Sequence, residues 1–140
     1  MQIKEVITRD DISATFAILN QIYSEITEKS YIEDILNMMQ RGYKMAQVID
    51  DDNNTIGVIG IRIVRKLHFG KALEIEDFMI DRKKRGIGVG KILMRWAEWQ
   101  ATIFGCNKII GILESVREES QRIYSREGLD ISGLFFVKDT

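Results

Sequence analysis

The 140-residue chain is 45% hydrophobic and carries 20 Lys+Arg against 21 Asp+Glu, a formal net charge of -1. That length suits one globular domain burying about two thirds of its unfolded surface, so residues 1–140 are expected to form a single domain. The near-neutral balance excludes the bulk basicity of a nonspecific nucleic-acid binder, and the lone Cys106 and lone His68 exclude an intrachain disulfide and leave no Cys/His set for a structural zinc.

In chain order, Ile3 to Ile7 alternates weakly and reads as a first strand. Asp10 or Asp11 is placed to cap a helix carrying Ile12, Phe16, Leu19, Ile22, Tyr23 and Ile26. Ser30 and Glu33 have capping-box spacing, and Ile32, Ile35, Leu36 and Met39 give a second helix its apolar stripe up to Gly42. Lys44 to Ile49 and Ile56 to Val64 read as strands joined by Asp50-Asp51-Asp52-Asn53-Asn54. A calcium loop there fails, because Thr55 stands where the glycine is needed and Ile61 where the bidentate glutamate is needed. His68 sits in a turn, as a solvated loop residue rather than a catalytic base, before a strand from Ala72 to Ile80.

A long helix carries Ile92, Leu93, Trp96, Ala97, Trp99, Ile103 and Phe104, and Gly105 closes it. Cys106 reads as a small buried hydrophobe, Asn107 to Leu113 reads as a strand, and Ser115 and Glu118 form a second capping box for a short helix ending at Gly128. Leu129 to Ile131 and Leu134 to Lys138 are expected to close the chain as a strand pair. The order β α α β β β α β α β β predicts a single-domain mixed α/β sheet. No run approaches the ~18 apolar residues of a membrane span, and MQIKEVITRDD lacks a signal-peptide core, so a cytoplasmic protein with no membrane partner is expected.

The chemistry is expected between Asp81 and Leu93, DRKKRGIGVGKIL, where a strand gives way to a basic glycine-rich turn and then a helix. Gly86, Gly88 and Gly90 allow the backbone positive φ and a close approach, so that successive N–H groups face one concavity at a helix start carrying roughly half a positive charge. Arg82, Lys83, Lys84, Arg85 and Lys91 add cations around it, which suits a ligand with several phosphates. A Walker loop fails because Ile92 follows Gly90-Lys91 and Arg85 stands where its first glycine belongs. The dinucleotide fingerprint fails because its third glycine is Lys91. In a net-acidic chain the cations suit a phosphorylated cofactor better than a nucleic acid.

Arg85-Gly86-Ile87-Gly88-Val89-Gly90 resembles the (Gln/Arg)-x-x-Gly-x-(Gly/Ala) acetyl-CoA signature of GNAT superfamily N-acetyltransferases. Glu76-Asp77-Phe78 ahead of it resembles the strand of spermidine/spermine acetyltransferases, Arg122 to Leu129 resembles the family's Phe-Tyr-x-x-x-Gly-Phe helix end, and Phe136-Val137-Lys138 resembles a frequent C-terminus. The chain departs at Arg117, where the family often has Asn, and lacks the usual proline after the fourth strand. The resemblance implies a GNAT fold over the whole chain, acetyl-CoA as cosubstrate with no metal, and the possibility of a homodimer. Phe78, Met79, Ile80, Arg85, Gly86, Ile87, Gly88, Val89, Gly90 and Lys91 are then the cofactor-binding residues, with pantetheine lying beside Phe78 to Ile80 like an added strand.

Acetyl transfer to a primary amine needs a neutral nucleophile, and at pKa ~10.4 only about one part in 2,500 is neutral at pH 7. A nearby carboxylate takes that proton. The resemblance favours Glu76 as this base, with Glu74 second. Strand alternation puts Glu74, Glu76 and Phe78 on one face and Ile75, Asp77 and Met79 on the other, unless a bulge reverses it. Tyr124 matches the family tyrosine that protonates the departing sulfur, and a backbone N–H near Met79 or Ile80 would meet the thioester oxygen. Glu25, Glu28, Glu74, Glu76 and Asp77 could favour a cationic small-molecule or peptide amine. The alternative function is a noncatalytic acyl-CoA-binding regulatory module, which has no need of Glu76 or Tyr124.

Overall fold

The computed structural model describes residues 1–113 and 118–140. The capping box expected from Ser115 to Glu118, and Arg117, rest on residues outside that set. The elements are β1 (Gln2–Val6), α1 (Arg9–Leu19), α2 (Glu28–Met39), β2 (Tyr43–Ile49), β3 (Thr55–Lys66), β4 (Gly70–Ile80), a 3-10 turn (Arg82–Lys84), α3 (Val89–Ile103), β5 (Lys108–Gly111) and α4 (Glu118–Arg126). They build a mixed sheet in the order β1-β2-β3-β4-β5. Only β4 and β5 run parallel, as a strand pair joined through a crossover helix must. The mixed α/β class read from the sequence holds.

Two apolar layers sandwich the sheet. On one face Ile59, Ile61, Leu73, Ile75 and Phe78 meet Val89, Leu93, Met94 and Ala97 of α3 and Ile123 and Tyr124 of α4. On the other, Tyr43, Met45, Val58 and Met79 meet Ile12, Ile18 and Leu19 of α1 and Tyr31 and Ile35 of α2. The hairpin between β2 and β3 turns on Asp50, whose Oδ1 accepts N–H bonds from Asp52 at 3.0 Å and Asn54 at 2.9 Å. His68 is exposed in the β3–β4 turn, as its position predicted, and Cys106 is half-buried against the core below α3.

The helix starts differ from expectation by a few residues. Thr8, extended at φ -93 and ψ 166, caps α1, and Asp11 returns the bond as the third residue of a capping box. Thr27 caps α2, so Ser30 is its third helical residue and gives its N–H to Thr27 Oγ1 at 3.2 Å. Helix α1 ends at Leu19, leaving Ile22, Tyr23 and Ile26 in the connection to α2. The N–H groups of Thr8 and Ile7 donate to Asp11 and hold its carboxyl down at about 2, against an ordinary 3.8. Because the folded value is the lower one, this contribution is present above pH ~4 and disappears as pH falls through about 2. Asp11→Ala is therefore expected to cost about 1 kcal/mol in urea denaturation at pH 7 and almost nothing at pH 2.

The largest departure is at the end of the chain. The strand pair expected at Leu129 to Ile131 and Leu134 to Lys138 is not formed. Gly128, at φ +90, turns the chain out of α4, Leu129 packs on the core, and every residue from Asp130 to Thr140 is exposed. The apolar pattern that reads as strand there records a segment suited to burial, and burial needs a neighbour.

Candidate active site

The site is set by an irregularity in β4. Gly60 of β3 pairs with Asp77, yet its neighbour Ile61 pairs with Ile75, so Glu76 is an extra residue bulged out of the ladder. The bulge reverses the alternation beyond it. Phe78 joins Leu73 and Ile75 on the α3 face, while Glu74, Glu76, Asp77 and Met79 share the face toward α1 and α2. The simple alternation, with Phe78 beside Glu76 and Asp77 opposite, is thus corrected.

Each of these carboxylates is held. Glu76 Oε1 takes Arg62 Nε at 2.8 Å, Arg62 Nη1 reaches Arg41 O at 3.0 Å, and Lys66 Nζ lies 3.7 Å from Glu74. Asp77 Oδ2 accepts from Tyr43 Oη at 2.6 Å. Burial, followed by the charge of Asp77, pushes the Tyr43 phenol well above its ordinary value, so it stays a donor. Next to it, burial raises Tyr31 to about 12, partly offset by its bond with Thr15. Of the other acids expected at the site, Glu25 is exposed in the α1–α2 connection and Glu28 binds Ser13 Oγ.

The bulge coincides with the end of β4–β5 pairing. The parallel ladder stops at Ile75 and Gly111, with one further bond from Ile112 N–H to Ile75 O. Among the described residues β4 has no strand partner on that side from Glu76 to Ile80, which opens a cleft. Asp81 N–H binds Ile56 O of β3, so antiparallel alternation turns the N–H groups of Ile80 and Phe78 into the cleft. Tyr124 borders it from the opposite face to the carboxylates. Its ring stands edge-on to Phe78 with centroids 5.3 Å apart and lies over Gly111, where a Cβ would come within 2.3 Å of it.

At the end of β4 the chain turns through Arg82–Lys84 into α3. Gly86 and Gly88 have φ +78 and +94, left-handed values that favour glycine, and space is open where a Cβ would project. Gly88 is the N-cap without a side-chain cap bond, and the first bond inside the helix runs from Ile92 N–H to Gly88 O. The preceding N–H groups are those a helix leaves without an internal partner. Gly90 does something else: it is helical, and a Cβ there would meet Ile123 at 2.9 Å and Ile80 at 3.3 Å, so it lets α3 close on α4. Arg85 is ion-paired with Glu119 of α4. Ile87 is exposed in the turn and Lys91 is exposed at the start of α3. A turn open to space, with orphan amides and surrounding cations, fits a diphosphate.

A family model for the GNAT acetyltransferases matches residues 12–129. The chain belongs to the GNAT acetyltransferase family. The matched span of this GNAT chain includes the bulge, the cleft, the glycine turn and Tyr124. Among solved structures it is similar over 100% of both chains to a ribosomal-protein-alanine N-acetyltransferase from Brucella melitensis biovar Abortus 2308, with TM-score 0.85 and 16% identity. It is similar to the aminoglycoside N-acetyltransferase AAC(6')-Iy in complex with CoA, with TM-score 0.85 and 14% identity over 99% of this chain and 93% of that one. A glucosamine-6-phosphate N-acetyltransferase from Arabidopsis thaliana aligns over 99% of each chain, with TM-score 0.77 and 19% identity. No curated protein matches by sequence. At these identities the structural likeness shows the fold.

In this GNAT domain β4, the glycine turn and Tyr124 lie around one cleft, and the residues that support them have no sign in the sequence. Arg62, Tyr43 and Gly60 act across the sheet. Gln21 ties the α1–α2 connection to the turn: its Oε1 accepts Arg82 N–H at 3.3 Å, and its own carbonyl accepts Arg82 Nη2 at 3.1 Å. A cavity of about 490 Å³ runs along the β1 side of α3 between Ile3, Ile92, Trp96 and Trp99, and Gly88 and Lys91 at the start of α3 also line it, so it adjoins the glycine turn.

Proposed function

We propose that the protein is an acetyl-CoA-dependent N-acetyltransferase that moves an acetyl group to a primary amine by direct attack in a ternary complex. The observation that carries this reading is the coincidence of the Glu76 bulge, the cleft it opens beside β4, and the left-handed glycine turn at the mouth of α3. Acetyl-CoA supplies the activated acyl group as a thioester. The amides from Gly86 to Lys91 hold its diphosphate with Arg85 and Lys91, and Phe78, Met79 and Ile80 line the arm that carries the thioester. Arg85 reaches the diphosphate by leaving Glu119.

Glu76, oriented by Arg62, takes a proton from the incoming ammonium, with Glu74 as the second candidate on the same face. That step addresses a gap of roughly 4 to 5 kcal/mol at pH 7. The N–H of Ile80 or Phe78 stabilises the oxygen as the amine nitrogen adds to the carbonyl carbon. The C–S bond then breaks as Tyr124 gives its proton to sulfur, the second proton of the nitrogen restores the Tyr124 phenol, and Glu76 releases the first to solvent. Base and acid therefore approach the reacting carbon from opposite faces of the sheet. Residues 1–140 act as one cytoplasmic catalytic domain.

The acceptor is a small-molecule or peptide amine, and three carboxylates on one face of β4 favour a cationic one. The test is thiol release from acetyl-CoA over a panel of amines. Turnover is expected, fastest with a dicationic amine. Tight acetyl-CoA binding with no turnover on any amine would make the protein a noncatalytic acyl-CoA-binding module. Turnover fastest with a neutral or acidic amine would remove the cationic acceptor alone.

A further inference from the structure

We infer that Gln21 is a positioning residue that joins the cofactor turn to the α1–α2 connection, so that coenzyme A settling on the turn also fixes the acceptor side of the site. The inference rests on the acetyl-CoA reading above and adds a link between its two halves. Gln21 follows Asn20, the C-cap of α1, and lies 60 positions before Asp81 in the chain.

Three bonds make the link. Gln21 Oε1 accepts the N–H of Arg82 at 3.3 Å, Gln21 Nε2 donates to Asp81 Oδ1 at 3.4 Å, and Arg82 Nη2 donates to the Gln21 carbonyl at 3.1 Å. Each end of the amide meets its complement, since only its oxygen can accept from an N–H and only its nitrogen can donate to a carboxylate. Asp81 Oδ1 also accepts Lys83 N–H at 3.0 Å, and Asp81 N–H binds Ile56 O of β3 at 3.0 Å. The start of the turn is thus held by the sheet on one side and by Gln21 on the other. Helix α1 has no basic residue in its own last turn, so the Arg82 guanidinium brings a cation to its carbonyl end. Arg82 therefore acts as a strut between turn and connection.

The connection borders the acceptor. Tyr23 and Ile26 pack against the apolar layer that contains Met79, on the face of β4 that carries Glu74, Glu76 and Asp77. The backbone there closes on a long bond, Ile26 N–H to Tyr23 O at 3.4 Å, so side-chain links carry much of its placement. The two amide bonds of Gln21 are also longer than the usual ~2.9 Å, which leaves the link room to tighten. A diphosphate gripped between Gly86 and Lys91 steadies Arg82 to Lys84 just before them, and Gln21 passes that constraint to the wall an incoming amine meets. An amine that meets a wall already in place is spared the cost of ordering it. The coupling is reciprocal, so the amine also tightens the cofactor.

Hydrogen exchange of the full chain with and without saturating coenzyme A reads the link and needs no amine. The amides from Gly86 to Lys91 and those from Gln21 to Ile26 are both expected to exchange at least about fivefold more slowly with coenzyme A bound. In Gln21→Ala the turn is expected to keep this protection and the connection to lose it, with an unchanged circular dichroism spectrum. A Gln21 with a merely structural role would alter exchange in the free protein and leave the difference made by coenzyme A intact, which overturns the inference. Protection of the turn without the connection overturns the coupling and leaves the acetyl-CoA reading standing, whereas protection of neither removes both. In thiol release with the fastest amine of the panel, Gln21→Ala is expected to raise KM for that amine about fivefold and to keep kcat within about twofold. An unchanged KM would show that the connection does not serve the acceptor and would end the proposal.

Discussion

Tyr124→Phe is expected to lower kcat for acetyl transfer about 100-fold while leaving the Kd for acetyl-CoA within about twofold. The substitution removes one oxygen and nothing else. The ring keeps its edge-on contact with Phe78 and its seat over Gly111, so packing and the cleft wall persist. A purely structural tyrosine would behave in the opposite way, with a shifted Tm and an unchanged kcat. Glu76→Gln is the companion from the other face. It is expected to cost a similar factor at pH 7, and the loss should shrink as pH rises toward ~10, where the amine loses its proton without help. A pH profile of thiol release reads both effects, and a loss that stays constant with pH would remove Glu76 as the base.

Gly60→Val is expected to cost about 3 kcal/mol or more, an overpacking penalty joined to a broken buried hydrogen bond. A Cβ at position 60 would lie 1.7 Å from Tyr43 Oη and 2.4 Å from its Cζ. Tyr43 is only 2% exposed and has no room to withdraw, so the phenol must leave Asp77. Tyr43→Phe keeps the ring and loses only the bond, for which about 1 to 2 kcal/mol is expected. The folded phenol ionises well above 10, so this contribution is complete below the unfolded value of 10.0 and is lost as pH rises through the folded one. Chemical denaturation of both variants at neutral pH gives the two costs. Equal losses would mean that the clash at Gly60 is absorbed elsewhere.

Both predictions involve contacts across the sheet, and those were the hardest to read from the chain. The helices and strands followed from apolar spacing, since Ile12, Ile18 and Leu19, or Leu93, Met94 and Ala97, must share a face. Where each helix begins was less legible, because Thr8 and Asp10 are both good caps and the choice depends on which residue stays extended. The bulge had one sign in the sequence: adjacent acids at Glu76 and Asp77 interrupt an alternation of polar and apolar residues. Arg62 and Tyr43 had none, being 14 and 34 positions away from the carboxylates they hold. Of the three glycines in the turn, Gly86 and Gly88 carry the left-handed backbone expected of them. Gly90 fills a different need, the close approach of Ile123 and Ile80, which a sequence motif cannot separate from the first. At the tail the pattern was correctly apolar, but the pairing partner was assumed.

A crystal structure of the chain with bound coenzyme A tests the central claim most directly. Diphosphate oxygens are expected within hydrogen-bonding distance of the backbone N–H groups between Gly86 and Lys91, with the pantetheine arm against Phe78 to Ile80. Coenzyme A seated elsewhere, or those same amides donating to protein carbonyls in the complex, would contradict the account.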